Sequence, residues 1–134
     1  MQEHGAGVTI DITGLAADRS DSNYIAGSSG DVSLNALSRT LGSNGFKHGI
    51  RVVAISPGVV ETERLVTLMK TKAGKEFGDA WHWKEFVFGL PHERPATVGE
   101  VAKDAVFVVF GRASCLNGIV INVSGGHRAR GGAF

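Results

Sequence analysis

The sequence has little cysteine, proline or tyrosine: its 134 residues include one cysteine, three prolines and a single tyrosine, Tyr24. Cys115 has no partner for an internal disulfide, so we expect a reducing, cytoplasmic environment. No nucleophile motif surrounds Cys115, which predicts a small buried or half-buried residue near a turn. We also expect no metal site, because five histidines lack metal-ligand spacing with acids or with Cys115. They are His4, His48, His82, His92 and His127.

Strong net charge and long apolar runs are also absent. The formal net charge is +1, so no strong field favours nucleic acid or an anionic membrane as a partner. No apolar run is long enough to span a membrane, and the N-terminus lacks a signal-peptide pattern. The chain is 43% hydrophobic and has the length of one domain, which is enough for a core.

Three segments are typical of β-strands. Residues 7–14 are rich in β-branched residues between glycines, and residues 119–123 follow a turn. Residues 49–56 form a near-continuous apolar run, which predicts burial on both faces, as in a parallel sheet.

The segments between these strands have the spacing of helices. We predict helices over residues 29–41 and 63–72, and a third that begins at a capping box of Thr97 and Glu100. In the first helix, Leu34, Leu37 and Leu41 form one apolar stripe. In the second helix, we expect Leu65, Leu68 and Met69 to face inward. The third helix should be largely buried through Val101, Ala105, Val106, Val108 and Val109. Strands separated by helices predict an α/β fold with a parallel sheet of about three strands flanked by helices.

Two stretches carry a family resemblance: IRVVAISPGVVETERL and RPATVGEVAKDAVFVVFGRASCLNGIVINVSGG. Four features match a known family in order and spacing. They are the Pro57-Gly58 pair, Thr62 four residues after the glycine, the Glu-Val-Ala of the closing helix and the pair Gly125-Gly126. Together they resemble the C-terminal half of the short-chain dehydrogenase/reductase family. The resemblance covers about residues 7–126.

This resemblance implies a single partial Rossmann-type domain over residues 1–134, and hydride transfer between NAD or NADP and an alcohol or ketone. It places the cofactor against Pro57, Gly58, Val60 and Thr62. Glycine lets the main chain approach a ligand without a Cβ clash, and ligands bind at the carboxyl ends of parallel strands. A strand-ending turn is the plainer interpretation of the Pro-Gly pair.

Residues 63–91 occupy the position of the family's substrate loop. This loop contains four aromatic residues that either line an apolar substrate pocket or make ordinary core or partner contacts. They are Trp81, Trp83, Phe86 and Phe88.

The sequence departs from the family at its catalytic positions. The family uses a serine at the end of the first strand seen here and a Tyr-x-x-x-Lys pair at the start of the next helix. A gap-free alignment through residues 34–37 puts Gly14 at the serine, Gly27 at the tyrosine and Asp31 at the lysine. Thr13 and Tyr24 are then the neighbouring catalytic candidates.

Tyr24 lacks the cation that would make it a good acid. A free phenol has a pKa of about 10, and a nearby ammonium lowers it toward neutral pH. The first lysine in the chain is Lys47, beyond the helix, and Asp31 disfavours a phenolate. Tyr24 is therefore either a catalytic acid or a loop residue that packs over the start of the helix.

The family's Gly-rich phosphate-binding turn has no counterpart here. We therefore expect this chain alone to bind a nicotinamide cofactor weakly or not at all. Two hypotheses stay open: a C-terminal fragment of a short-chain oxidoreductase, or a catalytically inactive fragment or oligomerisation module derived from the family. An uncovered apolar helix face also predicts a homo-oligomer.

Overall fold

The structure, a computed structural model, describes residues 1–130. Its strands are β1 (Gly7–Ile12), β2 (Ile50–Pro57) and β3 (Ile119–Val123), and its α-helices are α1 (Ile25–Gly45), α2 (Glu63–Phe77) and α3 (Val98–Val109). Short 3-10 turns connect these elements, the longest over Ala80–Val87. No helix within residues 1–130 combines the length and the apolar character needed to cross a lipid bilayer.

The described strands form one parallel sheet in the order β1-β2-β3. Ile10 lies opposite Val53, and Ile55 lies opposite Ile121. The last six residues of β2 are buried, which confirms the predicted burial on both faces. The predicted α/β class with a parallel sheet of three strands is therefore confirmed.

Helix α3 covers one face of the sheet. Val53, Ile55 and Val108 are fully buried together at the centre of the core. Arg51 lies on the same strand face and donates to the backbone oxygens of Ala113 (2.9 Å) and Val109 (3.2 Å), so it satisfies carbonyls at and beyond the helix end.

The capping box that begins α3 is confirmed, with Thr97 and Glu100 bonded reciprocally. The predicted extent of burial is wrong, because Val106 and Val109 are 55% and 52% exposed. These two valines lie on the helix face away from Val108.

Helix α1 covers the opposite face and packs through small and polar residues. The Ser38 hydroxyl donates to Asp11 Oδ2 at 2.6 Å, and Asn35 and Gly42 are buried. Leu37 and Leu41 are about half exposed, so the expectation of an uncovered apolar stripe is confirmed at these two positions.

Two further predictions are wrong. Leu68 of α2 is 55% exposed instead of facing inward, while Leu65 and Met69 are half-buried. Cys115 is exposed in the turn before β3, since the small side chain that fills the nearby core belongs to Ala113.

Candidate functional site at the carboxyl edge of the sheet

The carboxyl ends of the three strands are tied together by main-chain hydrogen bonds. Thr13 N donates to Ile55 O at 2.9 Å, and Gly58 N donates to Val123 O at 2.9 Å. A Cβ atom added to Gly58 would lie 3.0 Å from Ser124 Cβ, which is too tight for easy accommodation. Ligands of parallel α/β sheets bind at this edge, so we expect a ligand site of this chain to lie here.

The turn after β2 places the predicted cofactor residues on a fixed main chain. Pro57 ends the strand, and Val60 forms an isolated parallel bridge with Ala96. Thr62 is the N-cap of α2, where its Oγ1 accepts from Leu65 N at 3.2 Å. The Thr62 hydroxyl therefore still has its hydrogen to donate to a ligand.

Thr13, the candidate for the serine role, is buried directly after β1. Its Oγ1 donates to Ile55 O at 3.4 Å, so the hydroxyl is directed at the neighbouring strand.

The three aligned catalytic positions lie close together. A Cβ added to Gly14 would lie 2.7 Å from Asp31 Oδ2, and a Cβ added to Gly27 would overlap the ring of Tyr24. Tyr24 is the N-cap residue of α1, and its ring fills the space that a side chain at position 27 would take. The ring thus lies over the start of the helix, and a catalytic role for Tyr24 stays a prediction.

A shallow groove joins Tyr24 to Asp31. The groove is lined by seven residues, which include Tyr24, Gly27, Asp31, Leu34 and Leu37. None of the lining side chains is a lysine or arginine. Burial raises the pKa of the Asp31 carboxyl. The groove thus holds a phenol and an acid without the cation that would favour a phenolate.

A more enclosed cleft, which the sequence patterns do not indicate, opens beside Val59. Its volume is about 240 Å³, and its walls come from residues 90–96, α3 and the turn after β3. Because four separate segments form the cleft, only the folded chain reveals it.

An ion pair crosses the same edge. Arg128, after β3, donates from Nη2 to Asp18 Oδ1 at 2.8 Å, and its Nε lies 2.8 Å from Oδ2. Arg19 donates to His127 O at 3.4 Å. The loop after β1 and the segment after β3 are therefore joined across the end of β2.

The aromatic residues predicted for the substrate loop do not line the cleft. Phe86 packs against Phe77 with ring centroids 5.5 Å apart and lies 4.3 Å from Lys72 Nζ. Trp81 is 81% exposed, with Lys70 Nζ 5.9 Å from its ring centroid. Their role in substrate binding stays a prediction.

Metal-binding geometry is not found in the described part of the chain. No group of three or more His, Cys, Asp or Glu side chains there is arranged to hold an ion.

Comparison with known proteins places this geometry in a family. The family model described as enoyl-(acyl carrier protein) reductase matches residues 1–128. Sorbitol-6-phosphate 2-dehydrogenase of Klebsiella pneumoniae is 28% identical over 140 residues, which is 94% of this chain and 49% of that protein. The 3-oxoacyl-(acyl-carrier-protein) reductase of Chlamydia muridarum is 32% identical over 124 residues, 91% of this chain and 44% of that protein.

A solved structure shows the same similarity. L-Sorbose reductase from Gluconobacter frateurii, complexed with NADPH and L-sorbose, superposes with a TM-score of 0.83 at 25% identity. The alignment covers 97% of this chain and 50% of that one. The chain thus spans about half the length of these relatives, and its placement in the C-terminal half of the family's domain stays a prediction. The matched residues show that the chain belongs to the enoyl-(acyl carrier protein) reductase family of short-chain dehydrogenases/reductases.

Proposed function

We propose that the chain is part of an NAD(P)-dependent oxidoreductase that transfers hydride between a nicotinamide cofactor and an alcohol or ketone. The supporting observation is the bare main chain of Gly58 at the carboxyl end of the central strand, held by its bond to Val123. The names of two relatives, a sorbitol-6-phosphate dehydrogenase and a sorbose reductase, describe chemistry of this class.

The residues fit the nicotinamide end of such a cofactor. Gly58 and Val60 present main chain at the strand end, and Thr62 retains a hydroxyl hydrogen that can be donated to a carboxamide oxygen. When bound, the nicotinamide ring supplies or accepts the hydride. These residues would hold and orient the nicotinamide ring. The buried strand β2 would exclude water from the side of the ring that faces the sheet.

The residues do not fit the pyrophosphate in the same way. The sequence has no Gly-rich turn between a strand and a helix, which is where backbone N–H groups usually bind phosphates. We therefore expect cofactor affinity in this chain to be weak, because contacts at the nicotinamide end alone must supply it.

A second function is favoured by the substituted catalytic positions. Asp31 stands where the family has its lysine, and Gly27 stands where it has its tyrosine. A catalytically inactive relative that acts by self-association would need neither group. The half-exposed Leu37 and Leu41 on α1 give it an apolar face for that role.

Titration of the purified chain with NADH and NADPH, followed by nicotinamide fluorescence, tests the first function. We expect saturable binding that is weaker than low micromolar. Gly58→Ala should weaken it, because the added methyl group pushes against Ser124. Gly74→Ala is the matched control, since a Cβ there has nothing within 4 Å.

The outcomes separate the two functions. Binding that Gly58→Ala reduces and Gly74→Ala leaves intact supports the cofactor site, and Tyr24→Phe is then tested for turnover. Absence of binding at millimolar cofactor favours the inactive relative.

A further inference from the structure

The cleft beside Val59 offers a small space with apolar walls. Its volume is about 240 Å³, which is smaller than a typical site for a drug-sized ligand. Val59, Leu90, Ala96 and Val123 contribute apolar side chains to the walls, and His127 belongs to the same lining. The cleft therefore suits the apolar body of a small molecule.

On one side of the cleft the charges are paired. Arg94 donates to Glu100 Oε1 at 2.7 Å and to Glu100 Oε2 at 3.0 Å. Glu100 first, and Glu61 after it, raise the pKa of the Arg94 guanidinium. An anionic group is not favoured on this side, because two carboxylates already act on one guanidinium.

On the side of His127 the charges are positive. Arg19 donates to His127 O at 3.4 Å, and Arg130 donates to Gly89 O at 3.0 Å, next to the cleft wall. Both bonds go to main-chain oxygens, and neither guanidinium pairs with a carboxylate in the part of the chain that the structure describes. A guanidinium has five N–H groups, so each of the two retains donors for a ligand.

The imidazole of His127 senses this positive charge. Burial first, and then the charges of Arg19 and Arg130, lower its pKa, so the ring is neutral at pH 7. No carboxylate among the described residues acts on the ring in the opposite direction. Asp18 is already bound by Arg128, with both contacts at 2.8 Å. The local charge on this side therefore favours an anionic group.

The wall of the cleft is shaped by main chain in an uncommon conformation. His92 and Glu93 both have positive φ, 60° and 54°, a region that non-glycine residues seldom occupy. Gly125, at φ 58°, packs so closely here that an added Cβ would lie 3.0 Å from Pro91 Cβ. Because the chain's own packing forms the cleft, a ligand would not have to order it on binding.

We propose that the cleft binds a small carboxylate with an apolar body, with the carboxylate group on the side of His127, within reach of Arg19 and Arg130. The N–H groups of a guanidinium form a fork that matches the two oxygens of a carboxylate. The apolar body lies against Val59 and Leu90. The ligand makes no bond to Nδ1 of His127, which is closed to solvent. The site does not depend on the proposed hydride transfer, and its test uses no cofactor.

The probe is cyclohexanecarboxylate, added to the ¹⁵N-labelled chain at pH 7 with the ionic strength held constant by sodium chloride. Binding is followed by ¹H–¹⁵N correlation spectra. We expect the amide signals of Val59, Ala96 and Gly125 to move together and to saturate in the millimolar range. Affinity is limited because Arg19 and Arg130 are both exposed to solvent.

Three matched probes separate the charge from the apolar body. Cyclohexanol has the ring without the charge, and acetate has the charge without the ring. Each should bind at least about threefold more weakly than cyclohexanecarboxylate, because it loses one of the two kinds of contact. Cyclohexylammonium, which has the ring with the opposite charge, should bind more weakly than cyclohexanol.

The titration of His127 reports where the charge lies. A carboxylate beside Arg19 and Arg130 offsets their field, so the pKa of the imidazole should rise when cyclohexanecarboxylate is bound. The ¹H and ¹³C signals of the imidazole Cε1–H group measure this pKa. Cyclohexanol, which carries no charge, should leave it much closer to the value of the free chain.

Variants test the two guanidinium groups. Arg19→Gln and Arg130→Gln should each weaken the binding of cyclohexanecarboxylate by roughly three- to tenfold, the range of one net hydrogen bond. Arg19→Lys keeps the charge and should recover part of the loss. Arg112→Gln is the control and should bind like the unmodified chain, because Arg112 lies in the turn between α3 and β3, at the opposite edge of the sheet.

Three results would each overturn the proposal. The first is that the cleft amides of the unmodified chain do not move, even at tens of millimolar cyclohexanecarboxylate. The second is that cyclohexanol binds as tightly as the carboxylate and the pKa of His127 stays unchanged with both. The third is that Arg19→Gln and Arg130→Gln both bind like Arg112→Gln. The first two results come from the unmodified chain and so are valid even if a variant fails to fold.

Discussion

Glu100 shows how one side chain fixes both a helix start and the wall of the cleft. Its carboxylate accepts from Arg94 at 2.7 and 3.0 Å, from Thr97 N at 2.7 Å and from Thr97 Oγ1 at 3.0 Å. The Arg94 guanidinium first, and then the two Thr97 groups, hold the pKa of Glu100 far below its ordinary value of 4.5. All of these bonds are stronger to the ionised carboxylate than to the protonated acid.

A lowered folded-state pKa makes the contribution of Glu100 to stability depend on pH. The stabilisation is complete above the ordinary pKa of 4.5 and is lost as pH falls through the lower folded-state pKa. Urea unfolding of the unmodified chain should therefore show a lower midpoint at about pH 3 than at about pH 7, and Glu100→Gln should flatten part of this difference. Glu76→Gln, which changes an exposed acid on α2, should leave this difference as it is. Equal flattening by both variants would contradict the assignment of the pH dependence to Glu100.

Tyr24 and Gly27 are coupled by the ring that occupies the glycine's open side. Gly27→Ala should force the Tyr24 ring away, whereas the same change in a Tyr24→Ala background should be neutral or stabilising, since alanine is favoured in helices by about 0.5–1 kcal/mol. A double-mutant cycle should give a coupling of at least about 0.5 kcal/mol. If the two substitutions have additive effects on thermal unfolding, the Tyr24 ring does not lie against Gly27.

The sequence predicts which positions correspond to the family's catalytic residues, but it does not predict which side chains fill the space there. Alignment alone assigns Gly14, Gly27 and Asp31, and the structure places them side by side. The direction of the Tyr24 ring depends on the backbone at the helix cap, where φ and ψ are −133° and 36°. No spacing rule predicts that conformation, and the assignment of Pro57, Gly58, Val60 and Thr62 to a cofactor stays a prediction.

At the scale of elements, the close approach of α1 to the sheet depends on glycine. A Cβ on Gly42 would overlap the backbone of Gly118, which itself has a positive φ of 64°. A Cβ on Gly45 would lie 2.7 Å from Ile50 O. The helix therefore lies nearer to β2 and the start of β3 than larger side chains would allow.

Two glycines within the same helix provide a matched test of this approach. Gly42→Ala should destabilise the chain by about 1–3 kcal/mol through overpacking. Gly30→Ala, whose Cβ meets nothing within 4 Å, should stabilise it by about 0.5–1 kcal/mol. Urea midpoints measure both, and a neutral Gly42→Ala would show that α1 is free to move outward.

The same packing explains which helix predictions failed. The local sequence predicts the strands and the capping box of α3, and the alternation of strands with helix-length segments predicts the parallel sheet. Periodicity does not tell which helix face is inward when both faces carry apolar residues, as in α3, where Val108 is buried and Val106 is exposed. In α1 the inward face is small and polar, since Gly42 and Ser38 allow contact with backbone.

At the scale of the whole molecule, apolar side chains lie exposed on both layers of helices. Ile25 and Leu41 on α1, and Val106 and Phe107 on α3, are each 47% to 69% exposed. Exposed apolar patches of this kind are typical of interfaces between chains. We therefore expect self-association, if it occurs, to use one of these two helix faces.

Light scattering of the purified chain should therefore report a dimer or a larger assembly. Leu41→Lys should shift the mass toward that of a monomer if α1 forms the contact, whereas Leu68→Lys, equally exposed on α2, should leave the mass unchanged. A monodisperse monomer at micromolar concentration would rule out self-association through these faces.

The Asp18–Arg128 ion pair also has a consequence for the order of folding. Its partners are 110 residues apart, and Arg128 reaches Asp18 only after β3 has docked beside β2. Contacts between such distant residues form late, because the entropy of closing the intervening chain must be lost first. The link between the loop after β1 and the segment after β3 therefore forms only once residue 128 has been synthesised, and shorter nascent chains lack it.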